Sequence, residues 1–181
     1  GVGFGGGRLA PSQGLKVGVH GPRTGIGTVV GDDLRNSART LGAVGLPTAD
    51  LARHLRFEAD LERAVEGADL VQENGPERIE FKQDLWARVG RTVSPKALLL
   101  SSSSARTATE QARDMKDASR MLIGHPFNPP HLIPLVEVVP GERTDPLAVK
   151  QAVAFYDALG KVPRVLHKEI QGFVANRLQR A

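Results

Sequence analysis

The sequence predicts an α/β protein built around a layered sheet, and three observations support this fold class. Short apolar segments that are typical of buried strands alternate along the chain with segments that carry helix signals. Glycine, proline or small polar residues separate neighbouring segments. Polar residues also follow several of the apolar segments directly, at the position where ligands bind in such sheets.

The chain begins with a glycine-rich stretch. Gly1, Gly3 and Gly6 have the G-x-G-x-x-G spacing that lets a backbone approach a pyrophosphate in dinucleotide-binding folds. The motif has an incomplete context here, because no strand precedes Gly1 and Pro11 interrupts the helix that should follow. The predicted elements after it are a strand over 15–20, a helix from Asp32 to about Gly42 or Gly45, and a loop or short helix over 46–53.

The rest of the chain alternates between the two kinds of element more regularly. Phe81, Leu85 and Val89 are spaced as the buried face of an amphipathic helix over 77–89. Pro146 stands in the first turn of another helix, which Gly160 ends. The other predicted elements are a short helix over 60–66, and strands over 68–73, 97–100, 121–124, 135–139 and 162–166.

Composition and charge argue against several classes of function. The net charge is +4, but basic and acidic residues are interspersed and only 4% of residues are aromatic, so nucleic-acid binding is disfavoured. The small positive excess fits acidic small molecules equally well. No stretch is long enough to span a membrane, and no secretory signal is visible. The absence of cysteine fits a reducing compartment, and we expect a cytoplasmic protein. We also expect no metal site, no nucleic-acid partner and no membrane partner.

A histidine and a carboxylate form the main candidate for chemistry. His125 ends the apolar run Met121–Ile123, and Glu137 lies inside the apolar run Leu135–Val139. A buried carboxylate needs a partner, and a histidine is the nearest sensible one. Such a pair orients an imidazole for use as a general base. From these residues alone, a strand-end histidine opposite a carboxylate on an exposed edge is an equally good interpretation.

Several polar groups are predicted to meet at one edge of the sheet. Gly1–Gly6, Glu73, Ser101–Ser104 and His125 all stand at the ends of predicted strands. Because ligands bind beyond the carboxyl ends of strands in α/β sheets, this shared edge favours a binding site. The serine run alone is more typical of a solvated loop.

A series of motifs runs in order along the chain from about Leu55 to Ala181. The motifs are Gln72-Glu73, Pro76-Glu77, Lys82, Ser101–Ser104, Gly124-His125-Pro126-Phe127-Asn128-Pro129-Pro130, Leu135–Val139, Leu159-Gly160-Lys161 and Gly172-Phe173-Val174-Ala175-Asn176-Arg177-Leu178. Together they strongly resemble the 3-hydroxyacyl-CoA dehydrogenases, a family that includes L-carnitine dehydrogenase and L-gulonate 3-dehydrogenase (lambda-crystallin).

The resemblance implies a role for each matching residue. His125 would be the general base that takes the hydroxyl proton, and Glu137 would orient it. Ser104 and Asn176 would hydrogen-bond the reacting oxygen of a small 3-hydroxy acid or acyl-CoA substrate. The cofactor would be NAD. Its implied binding residues are Gly1, Gly3, Gly6, Glu77, Lys82, Ser104 and Asn128.

The resemblance also implies a Rossmann-like, doubly wound sheet, which here apparently lacks its first strand. Residues 1–170 would form an N-terminally incomplete NAD-binding domain, and residues 171–181 the start of a truncated helical domain for substrate and dimerisation. A homodimer is expected only with that helical domain. Gly21 stands where the family places a ribose-binding acid, and Arg23 nearby could accept a 2′-phosphate, so the choice between NAD and NADP stays open.

The sequence leaves two further alternatives open. One is a non-catalytic remnant or structural protein that keeps the fold without binding the cofactor. Another, within the enzymes, is an L-carnitine or L-gulonate 3-dehydrogenase. Stabilisation by added cofactor would separate the remnant from the enzymes, because a ligand that binds only the folded state raises its stability.

Overall fold

The computed structural model of this chain describes residues 16–21, 55–130 and 132–179. Its strands form two sheets. The smaller sheet consists of β1 (Val17–His20) and β2 (Leu55–Glu58), which pair in parallel. The predicted elements over 32–45 and 46–53, and the glycines at positions 1, 3 and 6, lie outside the described residues.

The larger sheet has five strands in the order β3-β4-β5-β6-β7. Neighbouring strands are parallel except β5 and β6, which are antiparallel. The carboxyl ends of β3, β4 and β5 therefore meet at one edge, as the sequence predicts. The strands are β3 (Leu70–Glu73), β4 (Leu98–Ser101), β5 (Met121–Pro126), β6 (Leu135–Pro140) and β7 (Val162–Val165).

Side-chain caps begin three of the helices. The Asp60 carboxylate accepts a hydrogen bond from the Arg63 N–H, Thr107 forms a capping box with Glu110, and Asp145 caps the helix that Pro146 starts. None of these described helices has the length and apolar character that crossing a membrane requires. The helices are α1 (Leu61–Val65), α2 (Ile79–Thr92), α3 (Ala108–Gln111), α4 (Pro146–Ala158) and α5 (Ala175–Gln179).

Helices cover both faces of the five-stranded sheet. Leu99 and Ile123 belong to the core under α1, α2 and α3, whereas Leu100 and Leu122 belong to the core under α4. Successive strand residues point to opposite faces, so these two cores lie on opposite sides of the sheet. The predicted α/β, Rossmann-like and doubly wound architecture is thereby confirmed.

The buried face of α2 differs from the predicted one. Phe81 and Leu85 are only partly buried, while Trp86 is completely buried. The Trp86 indole N–H donates to Gln111 Oε1 at 3.0 Å, so the largest side chain of the helix satisfies its polar atom inside the core. Lys82 also faces inward, because it has a buried partner. Because Lys82 is polar, the spacing of apolar residues alone did not identify the buried face of α2.

Two short elements have no counterpart in the sequence prediction. Strand β2 has four residues and only partial burial, so it has little apolar pattern. Helix α3 is a single turn that its capping box defines. The remaining described strands and helices lie within a few residues of their predicted positions.

Candidate active site

The pairing of β5 with β6 sets His125 against Glu137. The two residues are direct partners in the antiparallel register. The distance from His125 Nδ1 to Glu137 Oε2 is 2.8 Å, and the two side chains are 11% and 4% exposed. The predicted partnership between this histidine and this carboxylate is therefore present in the structure.

The second oxygen of Glu137 binds the start of the last helix. Glu137 Oε1 accepts hydrogen bonds from the backbone N–H groups of Val174 and Ala175, at 3.0 and 3.1 Å. Phe173 just before them has a φ of +46°, a left-handed conformation that costs a non-glycine residue about 1–2 kcal/mol. The carboxylate thus receives hydrogen bonds at both oxygens, which compensates for its burial.

Two phenylalanines lie close to the imidazole. The Phe127 ring centroid is 5.7 Å from that of His125, and the Phe173 centroid is 6.0 Å away. Phe173 is completely buried, and Phe127 is partly exposed. Part of the surroundings of the imidazole is therefore aromatic.

Asn176 and Ser104, the predicted ligands of the reacting oxygen, are in direct contact. Asn176 Nδ2 donates to the backbone carbonyl of Ser104 at 2.9 Å. Helix α5 therefore connects to β6 through the contact of Ala175 with Glu137 and to the serine segment, Ser101–Ser104, through Asn176. These contacts place the four predicted catalytic residues in one hydrogen-bonded assembly.

Glu77 organises the serine segment from the other side. Its Oε1 accepts from the Ser104 backbone N–H at 2.6 Å and from the Ser104 hydroxyl at 3.3 Å. Its Oε2 accepts from the Ser103 hydroxyl at 2.6 Å. This carboxylate is 41% exposed, so it reaches the surface of the predicted cofactor edge.

Lys82 lies beneath this surface, in a buried ion pair. Its Nζ is 2.9 and 2.8 Å from the two oxygens of Glu73, and the two side chains are 1% and 2% exposed. Glu73 also accepts hydrogen bonds from the Ser101 hydroxyl at 2.6 Å and from the Gly75 N–H. Lys82 Nζ lies 3.9 Å from Glu77 Oε2, so it joins the buried pair to the exposed carboxylate.

Asn128 is exposed on the loop that follows β5. Buried Lys161 holds this loop, because its ammonium donates to the Pro130 carbonyl and, at 3.3 Å, to the Ile133 carbonyl. Desolvation lowers the pKa of Lys161 below its ordinary value. Lys161, which directly precedes β7, thus fixes the loop that carries Asn128.

The described groups fit a nicotinamide dinucleotide at this edge. Such a cofactor needs hydrogen-bonding groups beyond the carboxyl ends of the strands. Glu77 offers a partly exposed acceptor, Asn128 an exposed amide, and Ser104 a hydroxyl on a long 3.3 Å hydrogen bond. The glycines predicted to lie under the pyrophosphate are outside the described residues.

The sequence did not predict the buried contacts that support the site residues. The pairing of Lys82 with Glu73, the loop contacts of Lys161, and the contact of Gln72 with Tyr156 all join residues of different elements. The only local signal was the placement of Gln72 and Glu73 at a strand end, which predicts a polar pair but not its partners.

Comparison with known proteins gives a consistent family. The model of the family described as "3-hydroxyacyl-CoA dehydrogenase, NAD binding domain" matches residues 3–170. A protein named 3-hydroxyacyl-CoA dehydrogenase from Gibberella moniliformis is 43% identical over 181 residues, which cover 99% of this chain and 56% of the relative. L-carnitine dehydrogenase from Pseudomonas aeruginosa is 40% identical over 172 residues, which cover 95% of this chain and 54% of the relative.

A solved structure supports the same conclusion. The 3-hydroxybutyryl-CoA dehydrogenase from Escherichia coli matches with a TM-score of 0.89 at 30% identity, over 99% of this chain and 39% of that one. The chain spans about half the length of the curated relatives it matches. The family model alone covers most of the sequence, including every described strand and four of the five described helices. The chain therefore belongs to the 3-hydroxyacyl-CoA dehydrogenase family, as an NAD-binding domain of that family.

Proposed function

We propose that this chain provides the cofactor-binding and proton-transfer groups of an oxidoreductase. The reaction interconverts an L-3-hydroxyacyl-CoA, or a related 3-hydroxy acid, and its 3-keto form. The observation that carries the proposal is the contact between His125 Nδ1 and Glu137 Oε2, at the edge where a dinucleotide would bind. The family match supports the choice of NAD as cofactor.

His125 acts as the base in this proposal. With its Nδ1–H donating to Glu137, the neutral imidazole has its lone pair on Nε2. Among the described residues, Nε2 forms no hydrogen bond, so it is the nitrogen that takes the proton of the substrate hydroxyl. Two backbone N–H groups hold Glu137 in place, so the ring keeps this orientation during proton transfer.

Ser104 and Asn176 hold the reacting oxygen. The Ser104 hydroxyl donates to Glu77 over 3.3 Å, a weak bond that the substrate oxygen can replace. Asn176 uses one amide hydrogen on the Ser104 carbonyl and keeps the other for the substrate. The carbon–oxygen bond gains carbonyl character as the hydroxyl loses its proton, and donors at this oxygen stabilise that change.

NAD, when bound, supplies the acceptor for the hydride that leaves the substrate carbon. Glu77, Ser104 and Asn128 would contact it from the described edge, and the glycines at positions 1, 3 and 6 would approach its pyrophosphate. Lys82 would act from below, by neutralising Glu73 and attracting Glu77. Its burial favours this indirect role over direct contact with the cofactor.

The substrate is either CoA-linked or a free hydroxy acid. The relative from Gibberella moniliformis carries the first activity in its name. Relatives at 36–44% identity are named L-carnitine dehydrogenase, which favours L-carnitine as the second candidate. We also place the domain boundary near residue 170, where the family match ends. A homodimer formed through a helical domain and a cytoplasmic location stay predictions.

A substrate panel tests the proposal. The full-length protein would be mixed with NAD and, separately, with 3-hydroxybutyryl-CoA, L-carnitine and L-gulonate, while formation of reduced cofactor is followed. We expect oxidation of at least one substrate and an increase in Tm on addition of NAD. If NAD neither stabilises the protein nor becomes reduced with any substrate, the non-catalytic alternative is correct.

A further inference from the structure

Two consecutive residues at the end of β3 point to opposite faces of the sheet and begin two separate polar clusters. Glu73 points toward α2, where it binds Lys82 and the Ser101 hydroxyl. Gln72 points toward α4, where it binds Tyr156 and the Ser102 hydroxyl. The carboxyl ends of β3 and β4 are therefore tied together on both faces.

The cluster on the α4 face forms a directed set of hydrogen bonds, here called the Gln72 network. The Tyr156 hydroxyl donates to Gln72 Oε1 at 2.7 Å. Gln72 Nε2 donates to Ser102 Oγ at 2.7 Å and to the Gly124 carbonyl at 3.3 Å. The Ser102 hydroxyl donates to Asn74 Oδ1 at 2.8 Å, and Asn74 Nδ2 returns to the Gln72 carbonyl at 3.3 Å.

The network is buried where it meets Gly124. Tyr156 is 4% exposed, and burial raises the pKa of its hydroxyl, which therefore stays a neutral donor. A Cβ atom at Gly124 would lie 2.8 Å from Tyr156 Cζ and closer still to the hydroxyl oxygen. The tyrosine thus occupies the space beside Gly124, and the residue that follows Gly124 is His125.

We propose that Gln72 and Tyr156 are positioning residues for the active site. They hold the carboxyl end of β5, and hence His125, at a fixed place relative to the serine segment that carries Ser104. The proposal rests on the proposed roles of His125 and Ser104. Three strand ends and α4 meet in the network, so it sets the spacing between the base and the group that holds the reacting oxygen.

The polar chemistry of the network supports a positioning role over simple packing. Apolar side chains of similar volume would fill the same space without the cost of burying polar groups. A directional network instead fixes distances and angles, and catalytic groups need their geometry held to within about 0.5 Å. Each network donor has an acceptor, so the arrangement is fully specified.

Two conservative variants test the proposal in the full-length protein. Tyr156→Phe removes one hydroxyl and keeps the ring, and Gln72→Met keeps the length of the side chain without its amide. The matched control is Thr144→Val at the opposite end of the same strand. There the Thr144 hydroxyl donates to the carbonyl of Met121, the first residue of β5, at 2.6 Å. All three variants remove one partly or fully buried hydrogen-bonding group.

Turnover is the first readout. We expect Tyr156→Phe and Gln72→Met to lower kcat on the order of tenfold, within the roughly hundredfold that a displacement of about 1 Å can cost. kcat is counted per cofactor-binding site, measured by calorimetric titration with NAD, so that unfolded protein does not contribute. Thr144→Val should lower Tm to a similar extent and leave kcat unchanged. Unchanged kcat in both network variants would overturn the proposal.

Hydrogen exchange is the second readout, and it does not depend on activity. Tyr156→Phe should make the backbone amides of residues 124–125 exchange about 3- to 10-fold faster, the range set by the net value of one hydrogen bond. Thr144→Val should leave those amides unchanged. Equal exchange at residues 124–125 in Tyr156→Phe and the parent would overturn the positioning role. If the parent oxidises no 3-hydroxy substrate, the proposed function fails, and the exchange rates still decide whether the network holds His125.

Discussion

Glu73 and Lys82 form an ion pair that is almost completely enclosed, with Lys82 Nζ 2.8 Å from Glu73 Oε2. Removing one member of such a pair leaves an uncompensated buried charge, whereas removing both does not. The two residues should therefore respond very differently to single and double substitution.

The first prediction concerns this pair. Lys82→Met should lower the free energy of unfolding by about 3–5 kcal/mol, the usual cost of breaking a buried ion pair from one side. The double variant Lys82→Met/Glu73→Gln should recover a large part of that loss, because it no longer contains an unpaired buried carboxylate. Chemical denaturation of the two variants and the parent measures both effects. Additive losses in the double variant would show that the residues are not coupled.

The second prediction concerns His125, the proposed base. His125→Ala should lower the oxidation rate by about 10²–10⁴-fold, the usual contribution of a positioned acid–base group. NAD affinity, measured by calorimetry, should barely change. His167 is exposed and provides the matched control, since His167→Ala should keep full activity.

Glu137→Gln is the companion to that test. The amide can still contact the ring, but it lacks the negative charge that stabilises the imidazolium formed during oxidation. The rate should fall less than in His125→Ala. Near-normal turnover of His125→Ala would instead support the interpretation of a strand-end histidine without a catalytic role.

The third prediction compares two glycines. Gly124→Ala should destabilise the protein by about 1–3 kcal/mol or more, because the new methyl group would overlap Tyr156, which its hydrogen bond to Gln72 holds in place. Gly90 is exposed within α2, and a Cβ there meets only the flexible end of Met115, at 3.2 Å. Gly90→Ala should stabilise the protein by about 0.5–1 kcal/mol. Thermal unfolding of both variants distinguishes the two environments.

The fourth prediction concerns acid stability. The pKa of Asp117 is lowered chiefly by the hydrogen bond from the Ser119 backbone N–H, at 2.9 Å. A carboxylate whose pKa is lower in the folded state stabilises the fold above its ordinary value of 3.8, and this contribution disappears as the pH falls through the lowered pKa. Asp117 is exposed, so solvent screens this interaction, and Asp117→Ala should cost only about 0.5 kcal/mol or less at neutral pH. Denaturation curves of variant and parent should converge as the pH falls below 3.8 and through the lowered pKa.

The fifth prediction concerns cofactor choice. Gly21 directly follows β1, where a carboxylate would bind the ribose hydroxyls of NAD and repel the phosphate of NADP. We expect weak discrimination between the two cofactors in calorimetric titrations, and stronger preference for NAD in Gly21→Asp. Tight NAD binding with strong rejection of NADP by the parent would contradict this prediction.

The sequence was most informative about the strands and the His125–Glu137 pair. A histidine at the end of one apolar run and a single acid inside the next are enough to suggest a contact, and the register makes them direct partners. That β5 and β6 run antiparallel was not predicted, because an apolar run carries no information about strand direction. Apolar spacing also misplaced the inner face of α2, since Lys82 is buried through its charge and not through its hydrophobicity.

The features that the sequence did not predict depend on contacts between elements that are far apart in the chain. Tyr156 reads as an ordinary core residue of α4, and nothing near it in the chain indicates that its hydroxyl meets Gln72, 84 positions away. The partners of Lys161 were equally unpredictable, because they are backbone carbonyls, which every residue has. Such contacts depend on how the layers are stacked, and local pattern does not encode that stacking.

The shared carboxylate of Glu137 couples two events that would otherwise be independent. One oxygen contacts the imidazole of His125, and the other accepts from the N–H groups of Val174 and Ala175 at the start of α5. The helix therefore cannot move away without removing hydrogen-bond donors from the carboxylate that contacts His125. Such coupling is reciprocal. Under the proposed mechanism, contacts that hold α5 against the sheet would therefore also hold His125 in its orientation for proton transfer, and a substrate bound at His125 would in turn stabilise the position of α5.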